Sequence, residues 1–159
     1  MSETPTAAEV LNLGIEAELL GENLYGNIAA KATDQATKNL CAVLAAQERD
    51  HVRQLRELVD ECDDSGDESR AMQEARKRLH SSFTQRVLPA ARRMAGQIGH
   101  LHATPELYQV AIGLERDVIR FYQELRFVVP VGVRRTVDVI LNTEHLHLTK
   151  LQRQVGEVT

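Results

Sequence analysis

Apolar residues recur along most of the chain at intervals of three and four, which is the pattern of amphipathic α-helices. No segment alternates convincingly enough to be a strand. A capping box, Thr6-x-x-Glu9, opens the first helix, and Thr33-Asp34 separates it from the second. Pro89 is expected to kink or split the third helix. We therefore predict an all-α fold in one domain of residues 1–159, with helices at about 7–32, 35–61, 68–97, 105–128 and 132–155.

The composition favours a globular protein over a nucleic-acid-binding, secreted or membrane-spanning one. The 159 residues are 43% hydrophobic and 26% charged, which is ordinary for a globular protein, and the net charge of −4 does not favour nucleic acid as a partner. The first ten residues lack the basic and apolar regions of a signal peptide, and no apolar run is long enough to span a membrane. The only cysteines, Cys41 and Cys62, are too few for a disulfide framework. We expect a cytoplasmic protein with reduced thiols.

A set of metal-ligand residue types occurs twice, on four of the predicted helices. In each copy a glutamate precedes a tyrosine by 7 residues, and a second glutamate precedes a histidine by 3. A step of 3 is one turn along one helix face, and a step of 7 is nearly two turns along one stripe. The first copy is Glu18, Tyr25, Glu48 and His51, and the second is Glu115, Tyr122, Glu144 and His147.

The four glutamates lie among apolar or small neighbours on faces that should pack inward. Glu48, for example, shares its stripe with Leu44 and Leu55. Four buried carboxylates that face one another need compensation, and two divalent cations would balance them, with two imidazoles completing the ligand set. One glutamate from each of two helices and a Glu-x-x-His from each of two others is the pattern of ferritin-like di-metal bundles. The alternative is structural: arginines or hydrogen bonds satisfy the carboxylates.

The segments that carry these residues resemble rubrerythrin-type di-iron domains of the ferritin-like superfamily. They are IEAELLGENLYGNIAAKA, LAAQERDHVRQLREL, IGLERDVIRFYQEL and ILNTEHLHLTKLQ, within about residues 8–60 and 105–155. The resemblance implies a four-helix bundle, with residues 68–97 as an additional crossover helix, and two iron ions, with manganese or a mixed pair as alternatives. It implies bridging roles for Glu48 and Glu144, and single-metal ligand roles for Glu18, His51, Glu115 and His147. Tyr25 and Tyr122 would hold carboxylates in position, although simple core packing of the two rings stays open.

The resemblance also implies a redox function: Fe(II) oxidation coupled to reduction of peroxide or dioxygen, of the peroxidase or ferroxidase type. The chain lacks the paired Cys-x-x-Cys motifs of a rubredoxin module, so electrons would come from a separate donor protein. Val118 stands where peroxide-reducing rubrerythrins tend to have an extra glutamate; Glu22 is either a substitute carboxylate or a surface residue. The alternative functions are a di-iron hydroxylase of an organic substrate such as a quinone, and a non-catalytic iron-binding protein.

Three further features carry expectations. The apolar stripe of helix 68–97 must dock on its own bundle or on a second subunit, and we expect a homo-oligomer, at least a dimer. Its basic face, which includes Arg76, is expected to be solvated.

Gly14 and Gly21 lie beside Glu18 on the first helix. They indicate either close approach of a neighbouring helix or space for a small oxidant. Cys41 is either a small buried hydrophobe or a redox residue.

Overall fold

The computed structural model describes residues 3–62, 66, 68–102 and 104–157, and the secondary structure in these residues is helical throughout. A five-residue π-helical turn, Phe83–Val87, connects the third and fourth α-helices, and a short 3₁₀ turn, Ile98–His100, follows the fourth. The helices are α1 (Ala7–Lys31), α2 (Gln35–Glu61), α3 (Arg70–Ser82), α4 (Leu88–Gln97), α5 (Thr104–Val128) and α6 (Val131–Gln154). None of the helices described combines the length and apolar character needed to cross a bilayer.

Side-chain caps explain where the first two helices begin. The Thr6 hydroxyl accepts a hydrogen bond from the Glu9 amide at 3.1 Å, and the Glu9 carboxylate accepts one from the Thr6 amide at 2.6 Å. Asp34 accepts a hydrogen bond from the Thr37 amide at 2.7 Å, which caps α2. These bonds satisfy amides that have no partner within the helix, so the capping box and the break at Thr33-Asp34 fall where the sequence predicts them.

The four long helices form a bundle. Short connections join α1 to α2 and α5 to α6 as two closely packed hairpins, and α1 also packs along α5. Their inward stripes supply a continuous apolar core that contains fully buried residues from every long helix, among them Leu11, Leu55, Leu125 and Ile140. This is the all-α four-helix architecture that the sequence predicts.

The segment between the two hairpins docks on its own bundle. Leu79, Phe83, Leu88 and Ala91 are buried in the common core, against α1 and α5. The apolar stripe of this segment is thus covered without a second subunit, and the expected homo-oligomer stays a prediction.

Pro89 accounts for the π-helical turn within this segment. A proline has no amide hydrogen, and its ring clashes with the carbonyl four residues earlier. The chain widens into a π turn just before it, where the Leu88 amide bonds to the Phe83 carbonyl five residues back. The expected kink therefore takes the form of a local π bulge between α3 and α4.

The basic face of this segment is largely exposed, as expected, at Arg70, Arg78, Arg86, Arg92 and Arg93. Arg76 is an exception and corrects the expectation at that position. Its side chain is 2% exposed, and its guanidinium donates to the Val128 carbonyl at 3.1 and 2.8 Å. It also pairs with the Glu68 carboxylate at 2.5 and 2.8 Å and reaches the Pro5 carbonyl at 3.2 Å. A cation that binds the last carbonyls of α5 stabilises the negative end of that helix, so Arg76 ties the crossover segment to the bundle.

Candidate metal centre

All six candidate ligands lie in the interior of the bundle and meet in one cluster. They form two overlapping groups of four residues. Within a group, each residue supplies one nitrogen or oxygen atom, and these four atoms lie within 4.8 Å of one another. Glu48 and Glu144 belong to both groups. The first group is Glu18, Glu48, His51 and Glu144, and the second is Glu48, Glu115, Glu144 and His147. Every member is at most 4% exposed, so the cluster is a buried feature of the core.

The helix period brings these residues to one place. Glu48 and His51 are one turn apart on α2, and Glu144 and His147 are one turn apart on α6, so each pair projects from one face into the bundle. Glu18 of α1 and Glu115 of α5 enter from the other two helices. The duplication in sequence thus becomes an approximate two-fold arrangement of ligand types.

Each imidazole faces three carboxylates through its Nδ1 atom. His51 Nδ1 lies 2.7 Å from Glu144, 3.1 Å from Glu18 and 3.2 Å from Glu48. His147 Nδ1 lies 3.3 Å from Glu48, 3.3 Å from Glu144 and 3.7 Å from Glu115. The two rings are stacked with their centroids 5.8 Å apart. Nitrogen and oxygen atoms that can act as metal ligands therefore converge in two adjacent groups, as a pair of cations requires.

The two repeated tyrosines connect helices α1 and α5 across the bundle. The Tyr25 hydroxyl donates to Glu115, and the Tyr122 hydroxyl donates to Glu18. Both rings are fully buried, and burial together with the nearby carboxylates raises the pKa of both phenols well above its usual value. The phenols therefore stay protonated and hold the carboxylates that they contact, which packing alone would not require.

Burial and mutual repulsion shift the titration of the cluster. Desolvation, reinforced by the charge of Glu144, raises the pKa of Glu18 and of Glu115 well above the usual range. Burial alone would lower the pKa of His51 and His147, but close contacts with the surrounding carboxylates raise both to about 12. Burial would raise the pKa of Glu144, but contacts with the two imidazoles lower it to about 2. Without a bound cation, the cluster is thus held together by two protonated imidazoles.

Several polar atoms of the cluster lie close to other cluster atoms but make no hydrogen bond of normal geometry. They are buried and belong to three residues: Glu48 Oε2, both carboxylate oxygens of Glu144, and His147 Nδ1. Within the described part of the chain, no arginine or lysine bonds to any of the four carboxylates. The alternative in which arginines neutralise buried structural carboxylates therefore does not apply. Two divalent cations would neutralise the four carboxylates and bind these polar atoms, and this mixed oxygen and nitrogen set suits first-row transition metals. The residues present fit a two-metal centre.

Residues around the cluster answer the questions left open by the sequence. Glu22 is paired with Arg49 at 2.8 Å, away from the cluster, which agrees with the surface alternative. A Cβ at Gly21 would lie 3.2 Å from Glu48 Oε1, and one at Gly14 would lie 3.3 Å from the Tyr122 hydroxyl. Both glycines therefore allow close approach of site residues, which agrees with the first alternative, and Glu48 occupies the space beside Gly21 that the second alternative would leave for an oxidant.

Cys41 is fully buried, and this burial raises the pKa of its thiol to about 11. A thiol with so little thiolate is a poor nucleophile, so Cys41 behaves as a small core residue.

Gln47 is a site neighbour that the sequence analysis missed. Its side-chain oxygen lies 3.1 Å from His147 Nε2, across the interface between α2 and α6. The available signal was its place directly before Glu48, on a helix whose next turn carries His51. A single glutamine at a half-buried position does not by itself indicate a contact 100 residues away.

The fold and the buried cluster together define a four-helix bundle with a carboxylate–imidazole site suited to two metals. The sequence profile of the rubrerythrin family matches residues 9–155, and the chain belongs to that family, as the resemblance predicts. It is also similar to a solved structure from Thermotoga maritima that carries the assignment of a ferritin-like diiron-carboxylate protein. The two chains are 22% identical, the TM-score is 0.67, and the match covers 100% of each. At this identity the likeness shows the fold alone, and it confirms the ferritin-like class. A search of curated proteins gave no match.

Proposed function

We propose that this protein is a non-haem di-iron protein that oxidises Fe(II) and reduces peroxide or dioxygen. The observation that carries the proposal is the pair of overlapping four-residue groups that share Glu48 and Glu144. This arrangement suits two metals bridged by the shared carboxylates, each with one further carboxylate and one imidazole. A pair of Fe(II) ions would supply two electrons, one each, which is the number needed to reduce one peroxide to two waters with two protons.

The surrounding residues support this assignment through position and protonation. Tyr25 donates to Glu115, and Tyr122 donates to Glu18. These two carboxylates are the ones that would each bind a single metal, and the hydrogen bonds fix their orientation. The almost complete burial of the six ligands limits access of water and of large substrates from most directions. A site with this degree of burial favours small oxidants such as peroxide or dioxygen. For catalytic turnover, electrons would come from a donor outside residues 1–159, which contain no rubredoxin-type cysteine pairs.

Metal analysis followed by rapid-mixing spectroscopy tests the proposal. The protein is loaded with Fe(II) without oxygen, its metal content is determined, and it is mixed with peroxide or with dioxygen. We expect two irons per chain and a near-ultraviolet oxo-bridge band after oxidation. A Cys41→Ala variant is the matched control, because it removes the buried thiol as an alternative reductant without touching the cluster.

The outcomes separate the proposal from its alternatives. Two irons that are not oxidised by either oxidant would indicate a non-catalytic iron-binding protein. Oxygen transfer to an added quinone would indicate a hydroxylase. Fewer than two metals per chain, with manganese and zinc also tested, would contradict the two-metal assignment itself.

A further inference from the structure

The two halves of the cluster differ just outside the repeated residues. On α2, Gln47 directly precedes Glu48, and its side-chain oxygen lies 3.1 Å from Nε2 of His147. The matching residue on α6 is Thr143, directly before Glu144. Its hydroxyl donates to the Val139 carbonyl of its own helix at 3.1 Å. Among the residues described here, nothing makes the corresponding hydrogen bond to Nε2 of His51.

A surface groove of about 480 Å³ between α2 and α6 reaches His51 but not His147. His51 is part of its wall, and the His51 side chain is 5% exposed. The His147 side chain is fully buried and is not part of the wall. Since one water molecule occupies roughly 30 Å³ in the liquid, solvent and small ions can reach the edge of the His51 ring. The groove is lined by Val43, Ala46, Gln47, Asp50, His51, Gln54, Val139 and Thr143.

The hydrogen bond from His147 Nε2 to Gln47 has a chemical consequence. When Nε2 of His147 donates its proton to Gln47, the neutral imidazole has its lone pair on Nδ1, which faces the centre of the cluster. The same hydrogen bond holds the ring in this orientation. Among the described residues His51 has no such partner at Nε2, and its contacts run through Nδ1 to the carboxylates that would share a metal with it. The His147 ring is also held from outside the cluster, so the His147 half is the better preorganised for a metal.

We propose that Gln47 is a positioning residue that makes the two metal positions unequal. The position at His147 and Glu115 binds its ion more tightly, and the position at His51 and Glu18 loads last and exchanges through the α2–α6 groove. This inference rests on the two-metal assignment in the proposed function. Loss of a hydrogen-bond partner of a metal-bound imidazole typically lowers metal affinity by roughly 10–100-fold, and we expect that effect at one position only.

A titration of the full chain with Zn(II) alone tests the inequality. Zn(II) has no redox chemistry, so the readout is affinity and not activity. The wild type should bind two ions in two resolved steps; His147→Ala should lose the tighter step and His51→Ala the weaker. Gln47→Leu should weaken the tighter step by roughly 10–100-fold and leave the weaker step unchanged.

Two variants control for loss of packing or polarity in the groove. Gln54→Leu makes the same substitution on the same helix and groove wall, where the amide donates to Asp50 and to no other residue of the described part of the chain. It should leave both steps as in the wild type. Gln47→Glu retains an oxygen acceptor for His147 and should restore most of the tighter affinity. Nitrogen NMR of the Zn(II) form gives a direct readout: His147 should be protonated at Nε2, and the slow exchange of that proton should be lost in Gln47→Leu but kept in Gln54→Leu.

The possible failures are distinguishable. If the wild type binds two ions but Gln47→Leu behaves like Gln54→Leu, or weakens both steps equally, the inference is wrong and the two-metal assignment stands. If the wild type does not bind two ions, both the inference and the proposed function are wrong. If Gln47→Glu fails to restore affinity although it folds, the hydrogen bond is not the cause.

Discussion

Removal of metal should make the stability of this protein strongly dependent on pH. The cause is the pair of imidazoles, His51 and His147, whose pKa values are raised to about 12 when no cation is bound. An ordinary histidine in the unfolded chain has a pKa of about 6.5. Each raised pKa therefore contributes stability that is complete below pH 6.5 and is lost as the pH rises towards 12. The raised pKa values of Glu18 and Glu115 act in the same direction.

The size of the effect follows from the number of protons. Above pH 6.5 the folded metal-free protein holds two protons on its imidazoles that the unfolded chain releases. The free energy of unfolding should then fall by about 2.7 kcal/mol per pH unit, at about 1.36 kcal/mol per proton. For a chain of this size 1 kcal/mol corresponds to roughly 2–4 °C, so Tm should fall by roughly 5–11 °C from pH 7 to pH 8. Glu144, whose pKa is lowered to about 2, loses its contribution only in acid and does not affect this interval.

Metal binding should remove this pH dependence, because cations replace these protons. In the metal-loaded protein the imidazoles are neutral, so Tm should change little between pH 7 and pH 8. Each ion at one hundred times its Kd also adds about 2.7 kcal/mol. The gap between the loaded and the chelated protein should therefore widen as the pH rises.

Thermal melts at half-unit pH steps, with and without chelator, measure this gap, and metal analysis verifies removal. The control is His145→Ala, which removes an exposed histidine from α6 and should preserve the pH dependence. A double variant, His51→Asn with His147→Asn, should remove the part of it that the two imidazoles contribute and leave the part due to Glu18 and Glu115. Parallel curves for the loaded and the fully chelated wild type would refute the assignment of a buried cluster that holds either two protons or two cations.

The remaining predictions concern single residues of the site. His147→Ala should lose about one metal ion per chain by elemental analysis, and retention of two tightly bound ions would contradict its role as a ligand. Tyr122→Phe should keep both metals and change affinity or oxidation rate by roughly 10–100-fold at most, because it removes a hydrogen bond to a ligand and no ligand. Gly21→Ala should lower metal affinity, since its new Cβ would lie 3.2–3.3 Å from the Glu48 side chain, whereas Gly26→Ala, which meets nothing within 4 Å, should not.

The sequence could predict the members of the cluster because the position of each residue on its own helix depends only on sequence spacing. Spacings of 3 and 7 place Glu48 with His51, and Glu18 in line with Tyr25, on the same faces of their helices without knowledge of the fold. Burial of these faces follows from their apolar neighbours, and the charge balance then requires a cation or protons. The helices follow from the same stripes, and the four-helix bundle is what the ligand pattern and the family resemblance imply.

Contacts between distant segments could not be predicted in this way. Arg76 looks like one more member of a basic helix face, and only the fold brings the Val128 carbonyl to it, 52 residues away. Gln47 likewise has a polar, half-buried position that normally indicates solvent contact, and its partner His147 is 100 residues away. A polar side chain on a helix is compatible with either environment, and the packed neighbour decides between them.

The repeat also has a limit as a guide to function, because it predicts that the two halves are equivalent. The residues between the repeated positions do not follow the repeat: Gln47 corresponds to Thr143, and Gly21 corresponds to Val118. In the fold these positions surround the ligands, where Gly21 allows close approach of Glu48 and Gln47 bonds to His147. The repeated residues can therefore supply two similar ligand sets, while the unrepeated ones give each metal position its own environment. A reaction that must load two ions and then admit one small oxidant benefits from such a difference, since only one position needs to open to solvent.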